Sequence, residues 1–146
     1  MPEPTRIGFS GTRLGMTEAA KRRAKRLLQT ASARGGDVWL HHGDCIGGDE
    51  EIHAIARSLG MKVAVHPGNI PELRAHCHGD IIHPPKDTLR RNEDIVNETI
   101  GLIAASGALK EQRRSGTWHT IRYAKSRRRP YVIIWPDGTT EAHNGS

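Results

Sequence analysis

The sequence is short of aromatics and cysteines, and it has no long apolar run. Of 146 residues only six are aromatic, three Trp, two Tyr and one Phe, so a stacking platform for single-stranded nucleic acid has little material. The two cysteines, Cys45 and Cys77, stand outside any CxxC pair. That excludes a disulfide framework and reads as free thiols in a reducing compartment. No stretch approaches the roughly 18 apolar residues of a membrane span, and the first residues show no secretory apolar core. The expectation is a soluble cytoplasmic protein with no membrane partner.

Acidic residues are also outnumbered: 22 Lys and Arg stand against 16 Asp and Glu, a formal net charge of +6. This balance suits a partner rich in phosphate, either a polymer or a small molecule. Much of the excess lies in Lys21, Arg22, Arg23, Lys25 and Arg26, and again in Lys125, Arg127, Arg128 and Arg129. Each cluster falls in or just after an amphipathic helical pattern, so solvated helix faces are the plainer reading and nucleic acid the lesser one.

What the chain does have is alternation. Apolar runs at 6–10, 38–41, 61–65, 101–105 and 131–135 read as strands, and patterned segments after Thr17, around Ile52 to Leu59, at 87–99 and at 116–125 read as helices. Residues 69–86 carry Pro71, Pro84 and Pro85 without a period, which predicts a long loop with one short turn near 71–76. Residues 136–146 read as a turn and a polar tail. The expected fold is a single α/β domain over 1–146, a Rossmann-like three-layer sandwich with helices on both faces of a mainly parallel sheet. Ligands in such folds bind outside the carboxyl ends of the strands.

Three strand-end loops have the composition of phosphate cradles. The first is Ser10-Gly11-Thr12-Arg13, where glycine admits an anion to the backbone and arginine can grip two oxygens. The second, Gly43-Asp44-Cys45-Ile46-Gly47-Gly48-Asp49, is neither GxGxxG nor a Walker loop. On it Asp44 could accept from ribose hydroxyls or act as a base, and Asp49 reads as a helix N-cap or a catalytic carboxylate. The third, Arg114-Ser115-Gly116-Thr117, opens a helix whose first amides point outward. Each also reads as an ordinary strand-to-helix turn, but three at one sheet edge would converge.

The order of these pieces resembles the SLOG superfamily, the Rossmann-like group that includes the lonely-guy (LOG) phosphoribohydrolases, and most of all its small stand-alone members related to YpsA. The resemblance runs from Ile7 to Trp135 and adds a helix headed by Arg91-Asn92-Glu93-Asp94. It implies a small nucleotide or nucleotide-derived ligand, with Arg91, Asp44 and Asp49 as catalytic candidates. Ser10, Gly11, Thr12, Arg13, Gly43, Cys45, Gly47, Gly48, Asn92, Ser115, Gly116, Thr117 and Trp118 would contact the ligand. In the LOG enzymes the helix arginine works with a glutamate three residues beyond the Gly-Thr pair to cleave an N-glycosidic bond. Arg91 matches the first position, while Thr120 stands at the second and Arg114-Ser115 replaces a double glycine. A nucleotide sensor without turnover and a DNA-processing accessory are the alternatives. The resemblance also implies a homodimer or higher homo-oligomer, with Ile95, Ile121 and Tyr123 as candidate surface.

Nine histidines offer zinc-type ligands, in His76-Cys77-His78 with His83 or in His41-His42 with Asp44 and Cys45. Neither set has CxxC or HExxH spacing, and strand neighbours point to opposite faces, so no metal or other cofactor is expected. Trp118 and Trp135 read as core or interface first, with Trp118 the better base-stacking candidate.

Overall fold

The computed structural model describes residues 3–145. Strands β1 (Thr5–Ser10), β2 (Val38–His42), β3 (Lys62–Val65), β4 (Ile81–Ile82), β5 (Gly101–Ala105), β6 (Tyr131–Ile134) and β7 (Thr140–His143) form one sheet. Helices α1 (Glu18–Ala33), α2 (Gly48–Ser58), α3 (Thr88–Asn97) and α4 (Gly116–Ser126) link them. The strand order is β4-β3-β2-β1-β5-β6-β7, parallel throughout except for β7. It is the expected α/β Rossmann-like architecture.

Every residue of β2 is buried, as a strand covered on both faces requires. Leu40, Val63 and Val65 join Ala20, Ala24 and Leu28 of α1 and Ile52 and Ala56 of α2 on one face. Leu102, Ala104, Tyr131 and Ile133 meet Val96 of α3 and Trp118, Ile121 and Ala124 of α4 on the other. The chain runs outward from β1 through β2 and β3, then returns by α3 to β5 on the opposite side of β1. Strand order therefore reverses between β1 and β5, the place where open α/β sheets leave a crevice.

Four details depart from the sequence reading. Ile81 and Ile82 of the long loop pair with Ala64 and Val65 as β4, too short for any period to announce. The polar tail turns at Gly138 (φ 85°) and forms β7, whose four residues are all exposed, so no apolar alternation marks it. Gly47, not Asp49, is the N-cap of α2. Ile95 and Ile121 are 1% and 3% exposed, so they are core residues and not an association surface; the Tyr123 hydroxyl donates to Asn97 Oδ1 at 3.1 Å.

Candidate functional site

The first two glycine loops are packed against each other. The Gly48 amide donates to the Thr12 carbonyl at 2.8 Å, and a Cβ built on Gly48 would lie 3.1 Å from Gly11 Cα. Gly47 takes φ 98°, where a side chain would run into the carbonyls of Thr12 and Arg13. Gly11, Gly47 and Gly48 thus serve loop-to-loop approach first. Thr12 keeps its hydroxyl busy by accepting from the Leu14 amide at 2.9 Å.

The two aspartates of the second loop differ sharply. Asp44 is fully buried at φ 58°, a left-handed conformation that Asp tolerates better than most residues. Its Oδ2 accepts from Arg74 Nε at 2.7 Å and its Oδ1 from the Cys77 amide at 2.8 Å. Its carbonyl accepts from the Ala75 amide at 2.7 Å. Burial alone would raise this carboxyl's pKa, but the Cys77 amide and the Arg74 guanidinium outweigh it and the net direction is down. Asp44 therefore anchors the long loop. Asp49, in the first turn of α2, accepts from the Cys45 amide at 3.1 Å through Oδ2. Its buried Oδ1 has no hydrogen-bond partner among the described residues. Burial pushes Asp49 up to about 6, against the lowering influence of Arg91 and the Cys45 amide.

Arg91 is 5% exposed and lies flat on Gly43, where a Cβ would be 2.6 Å from a guanidinium nitrogen. It donates to the Gly43 carbonyl, to the His66 carbonyl at 3.0 Å and to Asn92 Oδ1 at 2.7 Å, with Cys45 Sγ at 3.5 Å. The guanidinium thereby fastens the ends of β2 and β3 together. Burial and the Asp49 charge raise the Cys45 thiol's pKa, so it is no ready nucleophile. The crevice bounded by Arg13, Gly43, Cys45, Gly68, Arg74 and Arg91 holds about 10 Å³, room for one water at most.

The third loop is arranged around the start of α4. Ser115 is its N-cap, accepting from the Trp118 amide at 3.2 Å. The amides of Gly116 and Thr117 belong to the first turn, which leaves them without intrahelical acceptors. A Cβ on Gly116 would lie 4.0 Å from Asn92 Nδ2, and one on Gly107 would lie 3.1 Å from the Thr12 methyl. Through Asn92, Arg91 and Thr12 the three loops thus meet at one sheet edge. Trp118 is 5% exposed and donates to Ser106 Oγ at 3.1 Å, with Trp135 packed at 5.8 Å. It is a core residue with no face free for a base. Thr120 is fully buried and donates to the Gly116 carbonyl at 2.9 Å, so nothing ionisable occupies the position of the LOG glutamate.

Sequence reasoning did not bring the histidines together correctly. His41 and His42 point to opposite faces, as strand geometry requires. His42 meets His53 of α2 at 3.0 Å, with Cys77 close by. His41 meets His66 at 2.8 Å, with His83 stacked on His66 at 4.2 Å between ring centres. Burial lowers His41 to about 4, His42 to about 3 and His66 to about 2, assisted by neighbouring positive charge and by one another. Cys77 is pushed up to about 12 by burial and then by Asp44. His76 and His78 flank Cys77 but join neither buried cluster.

No protein-family model matches the chain, and none of the curated proteins matches it. Solved structures do. The molybdenum cofactor binding protein from the phototrophic bacterium Rippkaea orientalis is 18% identical over 91% of this chain and 77% of its own, with a TM-score of 0.71. The molybdenum cofactor carrier protein from Chlamydomonas reinhardtii is 19% identical over 88% and 76%, at 0.62. DNA processing protein A from Streptococcus pneumoniae is 17% identical over 89% of this chain and 50% of its own, at 0.66, so the chain spans half of that protein. At this identity the likeness is one of architecture, a mainly parallel α/β fold of Rossmann-like type.

Proposed function

We propose that the chain binds a nucleotide or nucleotide-derived phosphate at the carboxyl edge of the sheet, around the ends of β1, β2 and β5. The observation that carries this reading is Asp49: a buried carboxylate oxygen without a donor among the described residues, its pKa raised to about 6, near Arg91 at the carboxyl edge of the sheet beyond β2. A buried acceptor left unpaired costs about 1–3 kcal/mol, and a ligand hydroxyl or an ordered water relieves it. The first-turn amides of α4 and the Arg13 guanidinium are suited to the phosphate. Two structural neighbours are named for a small-molecule cofactor, which fits a compact ligand.

The reaction we assign to this arrangement is cleavage of an N-glycosidic bond. Water adds to the anomeric carbon as the bond to the base breaks, Asp49 takes a proton from the water, and the same proton then passes from Asp49 to the departing base, which leaves neutral. A carboxylate with pKa near 6 is poised for that step. Asp44, held by Arg74 and Cys77, acts instead by anchoring the loop. A panel of nucleoside monophosphates, deoxynucleotides and ADP-ribose-type nucleotides, scored for free base and for melting temperature, tests both levels. Base release lost in Asp49→Asn supports the hydrolase. A melting shift without release makes the protein a sensor, since a ligand at 100 times its Kd stabilises by about 2.7 kcal/mol. The absence of both signals overturns the nucleotide reading.

A second reading rests on the shallow cleft of about 210 Å³ lined by Arg22, Arg23 and Arg26 of α1 with Asp137 and Gly138. DNA processing proteins are among the structural neighbours. Binding of single-stranded DNA with a steep salt dependence, weakened by replacing these three arginines, would favour it.

A further inference from the structure

Below the β3 edge, on the α3 face of the sheet, Glu98 reaches three histidines at once. Its Oε1 lies 3.9 Å from His41 Nδ1, 3.9 Å from His66 Nε2 and 3.7 Å from His83 Nε2. His41 Nδ1 and His66 Nε2 are 2.8 Å apart. Ligand bonds of 2.0–2.2 Å place the donor atoms of a tetrahedral zinc site about 3.4 Å from one another, so these separations need changes of only about 0.6 Å or less. His41 and His66 are 1% and 3% exposed and cannot leave the cluster, whereas His83 and Glu98 lie at its open side. A cavity of about 110 Å³ bounded by His66, His83, Lys86, Asp94 and Glu98 gives an ion a route in and room for a bound water.

We infer that His41, His66 and Glu98 form a binding site for a divalent transition ion of the zinc class, with His83 at its open side and water completing the shell. Nitrogen donors with one carboxylate and no sulfur select zinc and its neighbours over calcium or magnesium, which prefer all-oxygen shells. This inference stands apart from the nucleotide reading, because none of its ligands belongs to the three glycine or hydroxyl loops.

Proton positions decide why this cluster qualifies and the His42 cluster does not. Arginine only donates, so Arg6, 3.1 Å from His41 Nε2, places the His41 proton on Nδ1, which donates to His66. Metal binding shifts that proton to Nε2 and turns Arg6 aside. Arg6 is half-buried and otherwise rests over Trp39 at 4.9 Å, so it can move. His42 Nδ1 instead accepts from the Asp44 amide at 2.9 Å, a donor fixed in the backbone. Its Nε2 therefore keeps its proton, donates to His53 and is closed to a metal. The charges facing the proposed site are Glu98, Arg6 and Arg91, with Lys86 paired to Asp94 at 2.6 Å.

The test is titration of the full chain with Zn²⁺ by calorimetry and with Co²⁺ by visible absorption, which reports tetrahedral coordination. One equivalent is expected, with affinity falling by at least about tenfold in Glu98→Gln and in His66→Gln. Arg6→Ala is expected to bind several-fold more tightly, because it removes a repelling charge and frees the His41 tautomer. His83 and Glu98 are exposed enough for His83→Ala and Glu98→Gln to stay folded, which circular dichroism checks. Binding that survives both Glu98→Gln and His66→Gln, or that is unchanged by Arg6→Ala, belongs to surface histidines such as His76 and His78 and overturns the proposal. So does the absence of saturable uptake.

Discussion

His41 and His42 are consecutive residues, almost equally buried, and each touches a second histidine, yet they are chemically unlike. A main-chain amide settles which nitrogen of His42 carries the proton; a movable arginine settles it for His41. The carboxylates of the neighbouring loop repeat the contrast. Asp44 has both oxygens taken by Arg74 and Cys77, while Asp49 keeps one oxygen without a partner among the described residues. His42 and Asp44 are held by fixed partners and support structure, whereas His41, through a movable arginine, and Asp49, through its open oxygen, retain chemical capacity. Burial alone separates neither pair.

The largest test of this contrast removes each imidazole in turn. His42→Ala leaves a cavity in a closed core and strands the Asp44 amide, so a loss of about 3–5 kcal/mol is expected in urea unfolding. His41→Ala empties a space behind His66, which lines a water-accessible cavity, and strands no backbone amide, so it should cost clearly less, about 1–2 kcal/mol. Equal losses would erase the distinction.

Asp49 gives the next effect, of about 3 kcal/mol for a rise from 3.8 to about 6. The folded state binds this proton more tightly than the unfolded chain does, so the contribution is present below pH 4 and lost as pH rises through 6. Asp49→Asn should therefore gain stability relative to wild type between pH 4 and 7, measured as melting temperature across that range. A difference that does not change with pH would mean the carboxyl is not raised. Asp44→Asn is expected to be the smallest, about 1–2 kcal/mol, with the opposite sign of pH dependence. Its lowered pKa stabilises above the unfolded value and is lost as pH falls, and the variant should show faster proteolysis within residues 69–86.

The layers were legible in the sequence because β1, β2 and β5 are apolar runs and α1 carries Ala20, Ala24 and Leu28 at helical spacing. β4 and β7 were not, since exposed edge strands of two and four residues carry no buried alternation. The loops were located correctly, but composition could not say that Gly47 and Gly48 are needed for packing against Thr12 and Arg13. The histidine cluster was invisible for a different reason. His66, Glu98 and His41 come from separate elements, and only the strand order brings them to one place.

The Nη1 group of Arg91 is committed to the main chain. It holds the carbonyls of Gly43 and His66, so an anion that draws it outward must take it from one of them. Release of the second slackens the turn that carries His66 and alters how firmly that imidazole is presented to its neighbours. Coupling between two binding events is reciprocal, so an ion seated on His66 must change anion affinity by the same factor by which the anion changes the ion's. One arginine thus makes the two faces of this edge thermodynamically answerable to each other.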